Sequence, residues 1–221
     1  MTQQIATMAD LRTQLAARLQ TQRNTMPPPT TSRIKVKAKE GFTLPDGTIL
    51  DSLEAVVVDM RYINTYYGKR YSPGNVDAPD CWALSDDYNA LVPDTASKKV
   101  QSEACEGCPL NEWGSAVGGG SGKACANKIR LALVPPDATA DSPVWTIDMP
   151  PTSAGQFLKV FRGLTLPMQT VIMTFSLDPK VEYQKIMTAL EGPAPDGLAP
   201  HILTLMDKAQ GPINRGFDYE A

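Results

Sequence analysis

The sequence lacks any apolar run long enough to cross a bilayer, since no stretch approaches the roughly 18 consecutive apolar residues that a membrane helix needs. Its first residues also lack the apolar segment of a signal peptide, because Asp10 and other polar residues interrupt the apolar positions. We therefore expect a cytoplasmic protein with no membrane partner. With 42% hydrophobic and 20% charged residues among 221, the chain has enough apolar material to bury a core.

Histidine is almost absent, and this scarcity argues against several enzyme classes. The single histidine, His201, lies far along the chain from every cysteine and is expected at the surface or in packing. The sequence shows no nucleophile beside a histidine base and no H-x-E motif of a zinc deaminase. The run GSAVGGGSGKA at 114–124 lacks the spacing and the final Ser or Thr of a phosphate-binding loop, so we expect a flexible turn there. The protein is predicted not to be an enzyme.

Basic residues are concentrated at the beginning of the chain. Residues 1–39 carry seven Lys or Arg and one Asp, whereas residues 40–97 carry three basic and ten acidic residues. This asymmetry suggests an arm that binds a polyanion or the acidic surface of another copy, although a solvated basic helix would have the same composition.

Apolar periodicity divides the chain into an arm, a core and a tail. A helix is predicted over 7–24, with one apolar stripe formed by Met8, Leu11, Leu15 and Leu19. Three prolines, Pro27 to Pro29, predict a stiff linker after it. We place the helix and linker at 1–32, the core at 33–210, and a short acidic tail at 211–221.

The core is predicted to be mainly β with accessory helices. Alternating apolar positions and turn signals predict strands at 34–38, 53–60, 129–134, 144–149 and 170–177, and a turn at Pro45-Asp46-Gly47 separates two further short runs. One helix is predicted to begin with Ser153 as its cap, and another spans 201–209. Residues after Cys81 and up to Lys123 are irregular and rich in Gly, Pro, Ser and Asp. Such a long insert requires something to hold it together.

The few cysteines of this chain form a pattern typical of a metal site. They follow the spacing C-x23-C-x2-C-x16-C and are Cys81, Cys105, Cys108 and Cys125. Two residues between thiolates allow one turn to present both sulfurs to a cation at about 2.3 Å. We predict one structural zinc ion per chain, held by all four cysteines, that stabilises an insert at about 80–128. An iron–sulfur cluster and free or redox-active thiols are the alternatives.

Basic and aromatic residues alternate in RYINTYYGKRY at 61–71, the composition that single-strand binders use for stacking and phosphate contact. If this stretch is a strand, Tyr67, Lys69 and Tyr71 share one face. Some of the tyrosines are expected to be core residues instead, and Trp82 and Trp113 are expected to pack on the metal insert. The predicted nucleic-acid contacts are Lys35, Lys37, Arg61, Tyr62, Tyr66, Tyr67, Lys69, Arg70, Tyr71, Lys123, Lys128 and Arg130.

A strand leading into a tyrosine-rich turn, then Cys81, then C-x2-C-P at 105–109, resembles the zinc-containing single-stranded DNA-binding proteins of T-even-like bacteriophages. The segment CEGCPLNEWGSA…GKACANKIRLAL also looks like a motif of phage proteins of this size. In that family one metal ligand is a histidine, whereas all four candidates here are cysteines with different spacing.

This resemblance implies an OB-fold-like barrel with a zinc-binding loop subdomain inserted near the binding cleft and an N-terminal helical arm. It implies that the arm mediates self-association and that an acidic tail recruits replication proteins. The expected function is then to coat and protect single-stranded DNA during phage replication or recombination, in the host cytoplasm. The alternative is a zinc-stabilised phage accessory protein that binds a polymerase or host protein in transcription or host takeover. A metalloenzyme or redox protein would require an open or redox-active metal site.

Overall fold

The structure is a computed structural model that describes residues 7–9, 11–12, 15–16, 32–69, 77–116 and 118–217. The chain falls into two units, residues 1–31 and 32–221. In the first unit, the described positions 8–9, 11–12 and 15–16 are helical. The rest of the predicted helix, the proline linker and the acidic residues Asp218 and Glu220 lie outside the described residues.

The second unit is mainly β, as predicted, with nine strands and two α-helices among its described residues. The strands are β1 (Lys35–Lys37), β2 (Gly41–Thr43), β3 (Ile49–Leu50), β4 (Ser52–Tyr66), β5 (Cys81–Ser85), β6 (Cys125–Val134), β7 (Trp145–Met149), β8 (Val171–Leu177) and β9 (Ile186–Pro193). The helices are α1 (Pro151–Arg162) and α2 (Ile202–Ile213). Short 3-10 helices lie at Tyr88–Ala90, Pro109–Asn111, Met168–Thr170 and Asp196–His201.

The strands form two antiparallel sheets. The small sheet has the order β1-β2-β3, and the large sheet has the order β7-β6-β4-β8-β9, with β5 also paired to β4. Within the described residues, β7 and β9 end the large sheet without pairing to each other, so no closed barrel is present. The expected mainly β class is confirmed, but the sheet is open.

Strand β4 is the centre of the large sheet because it pairs along both edges. One edge pairs with β6, and the other pairs with β8 near Ser52 and with β5 near Tyr66. A bulge between Val57 and Asp59 shifts the register, and such bulges bend a strand. Because Val56, Val57 and Val58 are all fully buried, both faces of this part of the sheet are covered.

The two helices cover opposite faces of the large sheet. Phe157 of α1 belongs to one apolar cluster, together with Val57, whereas Leu205 of α2 belongs to another, together with Val56 and Val58. Alternate residues of a strand point to opposite faces, so the two clusters lie on the two sides of β4. The large sheet lies between these two clusters, and its strand pairing places the ends of β4, β5 and β6 next to one another.

Several sequence-based boundaries differ in the structure. Strands β5 and β9 were not predicted. Helix α1 begins at Pro151, and Ser153 does not cap it; its buried hydroxyl instead accepts a hydrogen bond from the Ile186 amide at 2.7 Å. Helix α2 continues to Ile213, and Phe217 is buried against Trp82. The tail predicted to begin at 211 therefore begins inside the folded core.

Candidate metal centre and nucleic-acid interface

Two of the four cysteines are placed by the register of the sheet. Cys81 begins β5, Cys125 begins β6, and each lies directly opposite Tyr66 of β4. Residues that are opposite each other in antiparallel strands point to the same face. Cys81, Tyr66 and Cys125 therefore share one face at the end of the sheet.

The other two cysteines come from a tight turn in the connection between β5 and β6. Gly107 adopts a φ of 71°, a conformation that glycine accepts without strain, and Pro109 starts a 3-10 helix directly after Cys108. The Cys105 amide donates to the Leu91 carbonyl at 3.0 Å. The turn is thus fastened to the chain that leaves β5.

The four thiols line one small cavity. All four cysteines are buried and free, and the cavity of about 20 Å³ is lined by each of them. A space of roughly 10–15 Å³ is enough for one water-sized particle. Among the described residues, no group of three or more His, Cys, Asp or Glu side chains already stands in positions that could hold a metal ion. Binding would require the thiols to turn towards a common centre.

Burial and mutual repulsion govern the thiol chemistry. Burial, together with the neighbouring Cys105, Cys108 and Cys81 and against the opposing charge of Lys123, raises the pKa of Cys125 to about 12. Burial also raises the pKa of Cys105, while a hydrogen bond from Asn64 opposes that increase. Four thiols that act on one another in this way make a donor set suited to a soft divalent cation, which removes the repulsion between thiolates.

Three asparagines connect the cavity to the surrounding loops. The Asn127 amide donates to Asn64 Oδ1 at 2.6 Å and to Asn111 Oδ1 at 2.9 Å, and Asn111 donates to the Cys105 carbonyl at 2.9 Å. This network was not predicted from the sequence. A signal existed in Asn64, because a polar residue in the middle of an apolar strand must find partners when it is buried.

The glycine-rich run between Cys108 and Cys125 is held by hydrogen bonds. The Gly114 amide bonds to the Gly122 carbonyl at 3.0 Å, and the Ala116 amide bonds to the same carbonyl at 3.1 Å. The Ala124 amide donates to Ser115 Oγ at 3.0 Å. The segment 114–124 was expected to be a flexible turn, but its described residues form a loop held by these hydrogen bonds.

Two arginines predicted to contact nucleic acid are buried and engaged within the fold. Arg61 bonds to Asp59 at 2.8 Å and to Gln210 at 3.0 Å. Arg130 bonds to Asp148 at 2.7 Å and to carbonyls at the end of α2, Ile213 and Arg215. Both guanidinium groups therefore join α2 to the sheet, and neither arginine is exposed.

Lys128 lies half-buried near the same charges. Burial lowers the pKa of its ammonium, and Asp148 opposes that effect. Asp148 is shared, since Arg33 also pairs with it at 2.9 Å. Within 32–69, 77–116 and 118–217, the Lys128 ammonium makes neither an ion pair nor a side-chain hydrogen bond, whereas Arg33 and Arg130 both pair with Asp148.

The predicted tyrosine and lysine contacts divide into buried and exposed groups. Tyr62 is half-buried and packs edge-on against Tyr88 at 5.4 Å, and Tyr66 is half-buried beside the cysteine cavity. Strand β4 ends at Tyr66, so the strand alternation expected from Tyr67 onward is absent at the described positions. The exposed members are Lys35, Lys37, Tyr67 and Lys69, whereas Arg70 and Tyr71 lie outside the described residues.

The two tryptophans expected to pack on the insert behave differently. Trp82 is buried and packs edge-on against Phe217 at 5.5 Å. Trp113 is 78% exposed, and Lys123 Nζ lies 5.6 Å from its ring centroid. The expected packing is thus wrong for Trp113.

A cleft of about 230 Å³ adjoins the cysteine cavity, with which it shares Asn64, Cys105 and Asn111. Its lining also includes Tyr88 and Lys123. Among its lining residues Lys123 is the only cation, and Glu106 and Glu112 supply two carboxylates. The residues that line the cleft therefore carry more negative than positive charge.

No protein-family model, curated protein or solved structure matches the chain. Among the described residues, none of the helices combines the length and the apolar character needed to cross a membrane.

Proposed function

We propose that this protein is a single-stranded DNA-binding protein with one structural zinc ion. Cys81, Cys105, Cys108 and Cys125 would hold the ion as thiolates. The observation that carries the metal proposal is that four buried, free thiols, separated by up to 44 positions in sequence, line one cavity. The ion would supply charge neutralisation and would tie the connection between β5 and β6 to the ends of both strands.

The DNA-binding proposal rests on basic and aromatic side chains that are close in sequence to residues lining this cavity. Tyr67 and Lys69 are exposed and lie one and three residues after Tyr66, which lines the cavity, and the half-buried Lys123 precedes Cys125 by two residues. An aromatic ring can stack on any base, and lysines can track the phosphates. Lys35 and Lys37 on β1 add exposed positive charge. Arg70 and Tyr71 remain proposed contacts, and Lys128 is retained as a half-buried cation.

The OB-like character of the core is part of this proposal. A long strand that bends at a bulge and pairs with different neighbours at its two ends supports a sheet that curves towards a barrel. Self-association through the N-terminal arm, recruitment of replication or transcription proteins, and a phage origin in a host cytoplasm also remain proposals.

The test is a titration of fluorescently labelled oligo-dT with the full chain, followed by anisotropy at several salt concentrations. Each phosphate contact on a single strand contributes about 0.7 to the slope of log affinity against log salt. We expect tight, salt-sensitive binding with little base preference. Lys35→Ala with Lys37→Ala should reduce the slope by about 1.4 if both meet phosphates.

Lys180→Ala is the matched control, because Lys180 is an exposed lysine in the connection between β8 and β9. It should leave the slope unchanged. Absence of binding by the folded wild-type chain at low salt would overturn the proposal. Capture of a polymerase or host protein by that chain would then favour the accessory-protein alternative.

A further inference from the structure

Trp113 is the most exposed of the large hydrophobic side chains in the described residues, at 78%. Tryptophan offers the largest aromatic surface of any side chain, and leaving that surface in water forgoes its burial energy. No other large hydrophobic side chain is exposed among the described residues of 101–125, and the nearest exposed one before it in sequence is Val100. A protein interface requires a wider apolar centre than one ring provides. A base requires only one ring face.

The backbone holds Trp113 in a fixed place. The preceding residue, Glu112, donates its amide to the Pro109 carbonyl, and the following residue, Gly114, bonds to the Gly122 carbonyl at 3.0 Å. Ser115 Oγ lies 2.6 Å from the Glu112 carbonyl and accepts from the Ala124 amide. A ring presented by a bonded loop loses little conformational entropy when a ligand stacks on it.

A cation accompanies the ring. Lys123 Nζ lies 5.6 Å from the ring centroid and donates to Asn111 Oδ1 at 3.3 Å. Because Lys123 Nζ lies over one face of the ring, a base would stack on the other face while the ammonium attracts a phosphate. The ring and the lysine both lie in the segment between Cys108 and Cys125, whose two ends line the thiol cavity.

We propose that Trp113 is a stacking platform for a base of single-stranded DNA, with Lys123 beside it to meet the phosphate. This inference rests on the proposed function and adds a contact outside the tyrosine-rich stretch. It assigns the main aromatic contact to the loop between the third and fourth cysteines.

The experiment compares oligo-dT with an abasic strand of equal length for the wild type, Trp113→Ala and Trp113→Phe. Trp113→Ala should weaken oligo-dT binding about 5- to 150-fold, the range that stacking of one base supports. It should leave the salt slope unchanged, because the ring carries no charge. Trp113→Phe should recover part of the loss, and the abasic strand should bind wild type and Trp113→Ala equally.

Leu203→Ala is the control, because Leu203 of α2 is 74% exposed and does not adjoin the loop in sequence. Unchanged oligo-dT affinity in Trp113→Ala, with salt-sensitive binding by the wild type, would overturn the platform and leave the proposed function standing. Failure of the wild type to bind either strand would overturn both. An equal loss on oligo-dT and on the abasic strand would also overturn stacking.

Discussion

Asp148 illustrates how a single buried residue organises charge in this fold. Its side chain is 4% exposed and lies between Arg130 at 2.7 Å and Arg33 at 2.9 Å. Burial alone would raise the pKa of this carboxyl, but the hydrogen bond and charge of Arg130, helped by Arg33 and Lys128, lower it below its usual value. The Asp148 carboxylate thus offsets the energetic cost of burying the positive charges around it.

Asp148→Asn should destabilise the protein by about 3–5 kcal/mol, because it leaves buried cations without a counter-charge. Urea unfolding at neutral pH measures this change. Glu40→Gln is the control, since Glu40 and its partner Lys37 are each 65% exposed and such pairs contribute little. A loss in Asp148→Asn no larger than in the control would contradict the assigned role.

Acid should reduce the difference between wild type and Asp148→Asn. Because the folded pKa of Asp148 is lowered, its contribution is complete above the unfolded carboxyl pKa of about 3.9 and is lost as the pH falls through the folded pKa. The difference in the free energy of unfolding between wild type and Asp148→Asn should therefore be the same at pH 7 and pH 5. It should be smaller below pH 4. A difference that grows below pH 4 would contradict this linkage.

Sequence reasoning misjudged residues whose partners are distant in the chain. Arg61 and Arg130 stand beside tyrosines or lysines in sequence, which suggested a nucleic-acid surface, yet each also bonds to α2 or to the residues after it, more than 80 positions away. The presence of a charged residue in a sequence does not show whether its side chain is exposed to water. The cysteine spacing suggested that the four thiols lie together, and they line one cavity, whereas the zinc ion itself stays a prediction.

At the scale of elements, the predicted strands with clear alternation were found, whereas β5 and β9 were missed. The β5 sequence, CWALS, is short and begins beside a loop-rich stretch, and β9 includes Gly192 and Pro193. Both strands are defined by pairing with β4 and β8, not by their own periodicity. These two segments are strands because they pair with neighbouring strands in the folded sheet, and their own sequences carry no pattern that indicates this pairing.

Gly41 shows which turn in the small sheet depends on glycine. It adopts a φ of 100°, and an added Cβ would lie 2.3 Å from the Leu50 carbonyl oxygen. Gly41→Ala should therefore combine backbone strain with a clash against β3. Gly47→Ala introduces strain alone, because its Cβ would enter open space at a φ of 86°.

Thermal or urea unfolding should show that Gly41→Ala loses at least about 1 kcal/mol more than Gly47→Ala, which by itself should lose roughly 1–2 kcal/mol. Equal losses would mean that the approach of Gly41 to β3 is not a constraint. The comparison is matched, because both positions require a positive φ and differ in their surroundings.

At the scale of the whole molecule, the proposed zinc ion would join β5, β6 and the loop between them. Of these parts, the residues after β5 contain two short 3-10 helices and bends, with a small apolar cluster around Ala83, Leu91 and Cys105. Such a segment has little burial energy of its own. The stability of this end of the sheet should then depend on the metal.

Purified protein should contain one zinc per chain, and treatment with a chelator should lower its thermal midpoint. Cys108→Ser should lose the metal and should no longer respond to the chelator, because one ligand is removed. Asn89→Ala is the control, since it changes the neighbouring cleft but leaves all four thiols. Cobalt substitution should give the absorption of a tetrahedral thiolate site in the wild type and in the control.

Two results would contradict the zinc site. Visible absorbance from iron and sulfide in the purified chain would assign the four cysteines to a cluster instead. A chelator-independent thermal midpoint, with no bound metal and with Cys108→Ser as stable as Asn89→Ala, would mean that packing around the buried thiols holds the insert unaided. In that case the loop that presents Trp113 would be fixed by its own hydrogen bonds, and base stacking there would be independent of metal.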